Sequence, residues 1–258
     1  MRPKLDEVFL DLIICPICKN QLTHLNDIFI CKSCGLQFMN SSSQIWNFIL
    51  AYPSFLIQKE QNQWMNSQTS FEVREKAIAQ EDDYDKYLEE IDSVQEIYNS
   101  EFSLNGMILD VGGRQGRLRH FLPKSAVYLS IDLFADVFSG LDQQPNLLRA
   151  YPCLREPCNF LQALAEHLPL QNSSFDYVHM RSVLDHFYDP YIALLEARRV
   201  LRPGGGLMVG LHVTGGDSSI REGLFQSLLA RFRKKIRDEG IKKTISCTAS
   251  GFLDTSFS

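Results

Sequence analysis

The chain has 258 residues, of which 45% are hydrophobic, 22% charged and 11% aromatic, a length that suits one large domain or an ordinary domain plus a small one. Glycine (15) and proline (10) are near average, which excludes collagen-like and low-complexity chains. A net charge of −5 argues against a protein basic overall that coats nucleic acid, and seven cysteines, an odd and modest number, argue against a disulfide-stapled secreted scaffold.

At the start of the chain, Asp6, Glu7 and Asp11 interrupt the apolar residues and no small-residue cleavage site follows, so a signal peptide is not expected. The apolar window Ile45 to Ile57 is broken by Asn47, Pro53 and Ser54 and is too short to span a bilayer. The expectation is a cytoplasmic protein without a transmembrane segment.

Cys15 and Cys18 form one C-x-x-C, and Cys31 and Cys34 form a second, followed by Gly35 where a turn is expected. Each pair can fold into a knuckle with both sulfurs pointing inward. Leu22, Leu25, Ile28, Phe29 and Ile30 can supply a short hairpin between them. One C-x-x-C alone leaves a redox pair or unbound thiols open, whereas two at this spacing point to a zinc ribbon over residues 1–50. Four thiolates leave no position for water, so the zinc is expected to be structural.

Residues 51–103 read as a helical linker. Glu72 to Glu101 holds 11 acidic and 3 basic residues, and Tyr84, Tyr87, Leu88, Ile91, Val94, Ile97 and Tyr98 recur at three- and four-residue steps. The spacing predicts an amphipathic helix whose charges form a solvated face, with docking of a partner as the alternative.

From residue 104 to 258 the pattern changes to α/β. Strands are expected at Met107–Val111, Val127–Ile131, Phe175–Met180 and Leu207–Val213. Helices are expected at Gln115–Leu122 and Pro190–Leu201, the latter ending at Arg202-Pro203-Gly204-Gly205. Strands alternating with helices at this spacing imply a doubly wound, mostly parallel sheet with helices on both faces.

The stretch ILDVGGRQGRLRHFL carries Asp110 out of a buried strand into a glycine-bearing turn, and VYLSIDLF places Asp132 at the end of the next strand. Such a turn lets backbone approach a ligand closely, and an acid at the second strand end can grip two ribose hydroxyls. On these residues alone a dehydrogenase is the rival reading. The later segments AEHLPLQNSSFDYVHMRSVLDHFYDP and LLEARRVLRPGGGLMVG decide the resemblance. With Glu166, Leu168-Pro169, Phe175-Asp176 and the Leu-Arg-Pro-Gly-Gly ending, the region 105–213 resembles the class I S-adenosylmethionine-dependent methyltransferases of the type 11 family.

The resemblance implies a Rossmann-like fold and roles by position. Gly112, Gly113 and Gly116 would form the turn under the methionyl part of S-adenosylmethionine, with Asp110 ordering that loop. Asp132 would bond the ribose, Leu133 would lie against the adenine, Ala165 and Glu166 near the adenine edge, and Arg181 would offer backbone near the methionyl group. Two positions depart from the family pattern. Arg114 stands where the middle glycine of the turn is usual, so its side chain either points away or meets the cofactor carboxylate. Leu164 stands where an aspartate often bonds the adenine amino group.

Methyl transfer mainly requires positioning of donor and acceptor, and a base only where the acceptor loses a proton. His186 and His212 are the candidate bases, with His179 and Asp185 also near the expected methyl site. Cys153, Cys158 and Cys247 read as ordinary thiols, and the basic run Leu228 to Lys243 as a solvated amphipathic helix or an anionic-surface contact. After Lys243 the sequence has room for one short strand, so the family's last strands are expected to be truncated or reduced.

The leading expectation is an enzyme that methylates an O, N or C nucleophile of a small molecule, lipid or sugar intermediate. A ribosomal RNA methyltransferase comes second, because the ribbon stretch from Cys15 to Gly35 has only Lys19 and Lys32 as Lys or Arg residues. The third reading is a non-catalytic adaptor whose ribbon resembles the small zinc-binding activator subunit of certain methyltransferases.

Overall fold

The computed structural model describes residues 3–41, 44–50, 59–79, 81–100, 104–211, 245–246 and 254–255. Its centre is a seven-stranded sheet in which every neighbouring pair runs parallel. In chain order the strands are β1 (Pro3–Lys4), β5 (Trp46–Asn47), β6 (Met107–Val111), β7 (Val127–Asp132), β8 (Cys158–Gln162), β9 (Phe175–Arg181) and β10 (Leu201–Gly210). Across the sheet the order is β8-β7-β6-β9-β10, with β1 and β5 both added to the outer edge of β8. The chain moves from β6 outward through β7 and β8, then crosses back to β9 and β10. The crevice between β6 and β9 is therefore the switch point, where open α/β sheets bind ligands beyond their carboxyl ends.

Alternation within the strands assigns the two faces. Leu109, Val111, Leu129, Ile131, Val178 and Val209 point to one side, where α5 (Pro190–Val200) covers them through Ala193, Leu194, Ala197 and Val200. Ile108, Tyr128 and Met208 point to the other, under Val94 and Tyr98 of α3 (Tyr84–Ser100). Burial on both faces explains the near-continuous apolar strands. The periodicity over Tyr84–Tyr98 thus packs on the sheet: Tyr87 and Ile91 join Leu147 and Ala150 of α4 (Pro145–Ala150), beside the Val94 and Tyr98 contact.

The expected helix over Gln115–Leu122 is a shorter 3-10 turn, Arg117–Phe121. Gly116 enters it at φ 84°, which an α-helix does not accept, and Pro123 follows directly. The glycines after α5 also act differently from a simple helix stop. α5 ends at Val200, and Arg202 to Gly205 form an irregularity within β10, between Leu201 opposite Phe175 and Gly206 opposite Tyr177.

The ribbon is a three-stranded antiparallel sheet of β2 (Leu22–Leu25), β3 (Ile28–Cys31) and β4 (Gln37–Met39), preceded by the one-turn α1 (Glu7–Leu10). The two knuckles close alike. Lys19 N–H donates to Cys15 O and Gly35 N–H to Cys31 O, with Lys19 at φ 58° and Gly35 at φ 76°. The ribbon lies on the sheet domain: Ile14 N–H donates to Pro169 O, Gln171 N–H to Leu12 O, and Lys19 Nζ reaches Glu196 of α5 at 2.5 Å. Ile245–Ser246 and Asp254–Thr255 pair antiparallel as a separate two-stranded sheet, so the tail holds two short strands rather than one. The end of the strand expected to reach Val213, the basic run Leu228 to Lys243 and Cys247 lie outside the described residues.

Candidate active site

Three strand ends define the site. β6 runs through Val111 into Gly112, β7 ends at Asp132, and β9 ends at Arg181, all at the carboxyl edge of the sheet. Between them is a cavity of about 300 Å³, at the small end of the range for ligand pockets. Gly112, Asp132, Leu133, Ala165, Glu166 and Arg181 line it, together with Arg114 and Leu164. Its roof is α2 (Lys59–Ala79), which contributes Trp64, Gln68, Phe71, Glu72 and Glu75.

Gly112 turns the chain at φ 74°, and a Cβ there would collide with the Val183 side chain beneath the cavity. The cradle therefore depends on the missing side chain. Gly113 instead backs onto Asp110 and Ser130, and Gly116 onto Cys158 and Tyr128, so both shape the loop from behind.

Asp110 supports the loop from below the cavity. In register across the central strands, Ser130, Asp110 and His179 form a polar row on the face under α3. The Asp110 carboxylate takes a hydrogen bond from Tyr128 Oη at 2.5 Å and pairs with His179 Nδ1 at 2.7 Å, while His179 Nε2 meets Tyr98 Oη at 2.8 Å. All of these groups are buried. Burial raises the Tyr98 and Tyr128 hydroxyls well above their ordinary range, which keeps both phenols protonated as donors. His179, a candidate base by its position in the chain, is thus a buried member of this network. Strand alternation explains the outcome: its side chain leaves β9 toward α3.

Asp132 is 9% exposed, and its Oδ1 accepts the Phe134 N–H at 3.0 Å. Burial pushes its carboxyl up to about 6, opposed by the Phe134 N–H and by the nearby Arg114 guanidinium. Glu166 faces the cavity, but its Oε1 also accepts the Asp189 N–H at 3.0 Å and so fixes the start of α5. Arg181 reaches Glu90 of α3 at 3.5 Å.

His186 lines the cavity with its ring against Phe71, 4.4 Å between centroids, and its carbonyl accepts Trp64 Nε1 at 2.8 Å. Asp185, in the same turn, is exposed and does not line the cavity. His212 lies outside the described residues.

The roof is what the sequence reading missed. Trp64, Gln68, Phe71, Glu72 and Glu75 share one helical face, spaced by four, three, one and three residues, so the signal was present inside the segment treated as a linker. Arg114 adopts φ 48°, and its guanidinium makes a two-pronged contact with Glu72, Nη1 to Oε2 at 2.5 Å and Nη2 to Oε1 at 3.1 Å.

In the ribbon, the Cys15, Cys18, Cys31 and Cys34 sulfurs all lie within 4.8 Å of one another. The closest approaches are 3.4 to 3.7 Å. Sulfurs at the corners of a zinc tetrahedron with bonds near 2.3 Å stand about 3.8 Å apart, so the set suits that ion in size and chemistry.

Residues 109–209 match the methyltransferase domain family. An uncharacterized methyltransferase of Schizosaccharomyces pombe is 32% identical over 102 residues, 38% of this chain and 37% of that protein. The tRNA U34 carboxymethyltransferase of Hahella chejuensis is 31% identical over 85 residues, 31% of this chain and 26% of that protein. A SAM-dependent methyltransferase structure from Aquifex aeolicus aligns with a TM-score of 0.43 at 17% identity, over 66% of this chain and 94% of that one. The chain spans well under half the length of either of these two curated relatives.

Proposed function

We propose that the methyltransferase-family segment at 109–209 makes this chain an S-adenosylmethionine-dependent methyltransferase acting on a small-molecule acceptor. The observation that carries the reading is the convergence of Gly112, Asp132 and Ala165 on one cavity at the switch point of the sheet. Asp132 supplies acceptors for ribose hydroxyls, Leu133, Ala163 and Ala165 an apolar bed for a base, and Gly112 a bare backbone for the methionyl arm. Bound there, S-adenosylmethionine supplies an electrophilic methyl group on its sulfonium.

The chain's own contribution is mostly exclusion of water and orientation. Trp64, Phe71 and Phe187 wall the cavity with apolar rings. His186 is the one ionisable ring among the lining residues, and its imidazole is the group placed to accept a proton from an acceptor that loses one. Cys15, Cys18, Cys31 and Cys34 of the ribbon would hold a structural zinc through four thiolates, which would leave that ion no open position for chemistry.

A small acceptor is favoured over RNA by what happens to the ribbon's cations. Of the two lysines between Cys15 and Gly35, Lys19 is taken up by Glu196 and the Leu168 carbonyl, which leaves Lys32 exposed there, and Lys4 ahead of them pairs with Asp6. That is too little positive charge to hold a phosphate backbone.

Calorimetric titration with S-adenosylhomocysteine tests the reading. The expected result is a dissociation constant in the micromolar range common for metabolite sites, about tenfold or more weaker in Asp132→Ala. No heat and no thermal shift with the wild-type chain overturns it.

A further inference from the structure

We infer that Arg114 is the anchor for the carboxylate of the cofactor's amino-acid tail, and that Glu72 holds this guanidinium as an internal substitute for that carboxylate until the ligand arrives. The inference rests on the cofactor reading above and adds to it a specific residue pair.

Three observations support it. First, Arg114 occupies a left-handed conformation, φ 48°, in a turn whose neighbours Gly112 and Gly116 reach such angles at no steric cost. The backbone there suits glycine, so what this position adds is its side chain. The loop is pinned by Ser130 Oγ, which donates to Arg114 O at 2.9 Å, and this leaves the guanidinium directed at the cavity.

Second, its partner mimics the proposed ligand. Glu72 presents both carboxylate oxygens to Arg114 in the paired arrangement that a free amino acid's carboxylate would also make. Both residues line the cavity.

Third, the exchange does not strand a buried charge. Glu72 is only 4% exposed, so leaving it without a cation would be costly. Lys76, one turn along α2, already stands 3.7 Å from Glu72 and also pairs with Asp136. When a ligand carboxylate takes Arg114, Lys76 remains to neutralise Glu72. α2 itself stays tethered by the Trp64 to His186 hydrogen bond.

The test compares S-adenosylhomocysteine with 5′-methylthioadenosine, which lacks the amino-acid tail, on the full chain by calorimetry. Glu72→Gln weakens the internal competitor, so the homocysteine ligand is expected to bind about threefold or more tighter, with methylthioadenosine changed less than about twofold. Arg114→Gly suits the local φ and should fold, as melting temperature will report. It is expected to weaken the homocysteine ligand about tenfold or more and to bring the two affinities toward each other. If Arg114→Gly weakens both ligands equally, or leaves their ratio unchanged, the anchor assignment is overturned while the cofactor site stands. If the wild-type chain binds neither nucleoside, both readings are overturned.

Discussion

Among single residues, Asp132 carries the clearest pH signature. Its carboxyl is raised to about 6 by burial, so below that pH the unliganded chain holds it neutral. A neutral acid accepts poorly from ribose hydroxyls, and binding then first has to remove its proton. The facing charges are Arg114, which favours the ionised form, and Glu72, which opposes it. Affinity for S-adenosylhomocysteine is therefore expected to rise about tenfold from pH 5 to pH 7 and to level off above, since the neutral fraction is nearly all at the lower pH and small at the upper. Titrations at five pH values check this. A flat profile in the wild-type chain overturns the assignment, and Asp132→Asn is expected to bind weakly with little pH dependence.

Among the elements, α5 ties the cofactor side of the molecule to the ribbon side. Its start is fixed by Asp189, whose Oδ1 accepts the Tyr191 and Ile192 N–H groups at 3.0 and 3.1 Å, with Pro190 in the first turn. Asp189→Ala is expected to lower stability by about 1 kcal/mol in denaturant melts, typical for loss of an N-cap. The elements were legible in the sequence where the local pattern was strong: β6, β7 and β9 match the strands expected at 107–111, 127–131 and 175–180, and α5 the helical spacing, to within a residue or so at their ends. What was not legible came from tertiary placement. Nothing local in Trp64, Phe71 and Glu72 says that α2 roofs the cavity, because a helix face acquires meaning only from what it covers. His179 shows the same limit from the other direction: its position near a strand end suggested chemistry, and pairing with Asp110 and Tyr98 makes it part of the scaffold. The site residues that could be read were those whose backbone or strand-end position is itself the signal, such as Gly112 and Asp132.

For the whole molecule, ribbon and sheet share one core. Phe9, Ile13, Phe29, Trp46 and Phe48 from the first fifty residues are buried in the same cluster as Leu109, Leu129, Leu161, Leu170 and Phe175, and the Phe9 and Phe175 rings stack at 6.4 Å. The sheet itself is completed from the ribbon side, since β1 pairs with Cys158 and Asn159 and β5 with Leu161 and Gln162 on one edge of β8. Gln162 then carries the connection inward: its carbonyl accepts the Phe48 N–H at 2.8 Å, and its side-chain amide donates to Leu133 O at 2.9 Å beside the cavity. A zinc ion held by the four thiolates would fix the knuckles that orient these segments, and its binding free energy would count toward folding wherever the site does not survive unfolding. Removal of the metal by a chelator, or Cys31→Ser, is therefore expected to lower the melting temperature of the entire chain in a single transition and to weaken S-adenosylhomocysteine binding through the Leu133 loop. Differential scanning calorimetry before and after chelation, with metal analysis of both samples, distinguishes the alternatives. Two separate transitions, with the larger one unmoved by metal loss, would show that the ribbon folds independently and that the shared core contributes little to coupling.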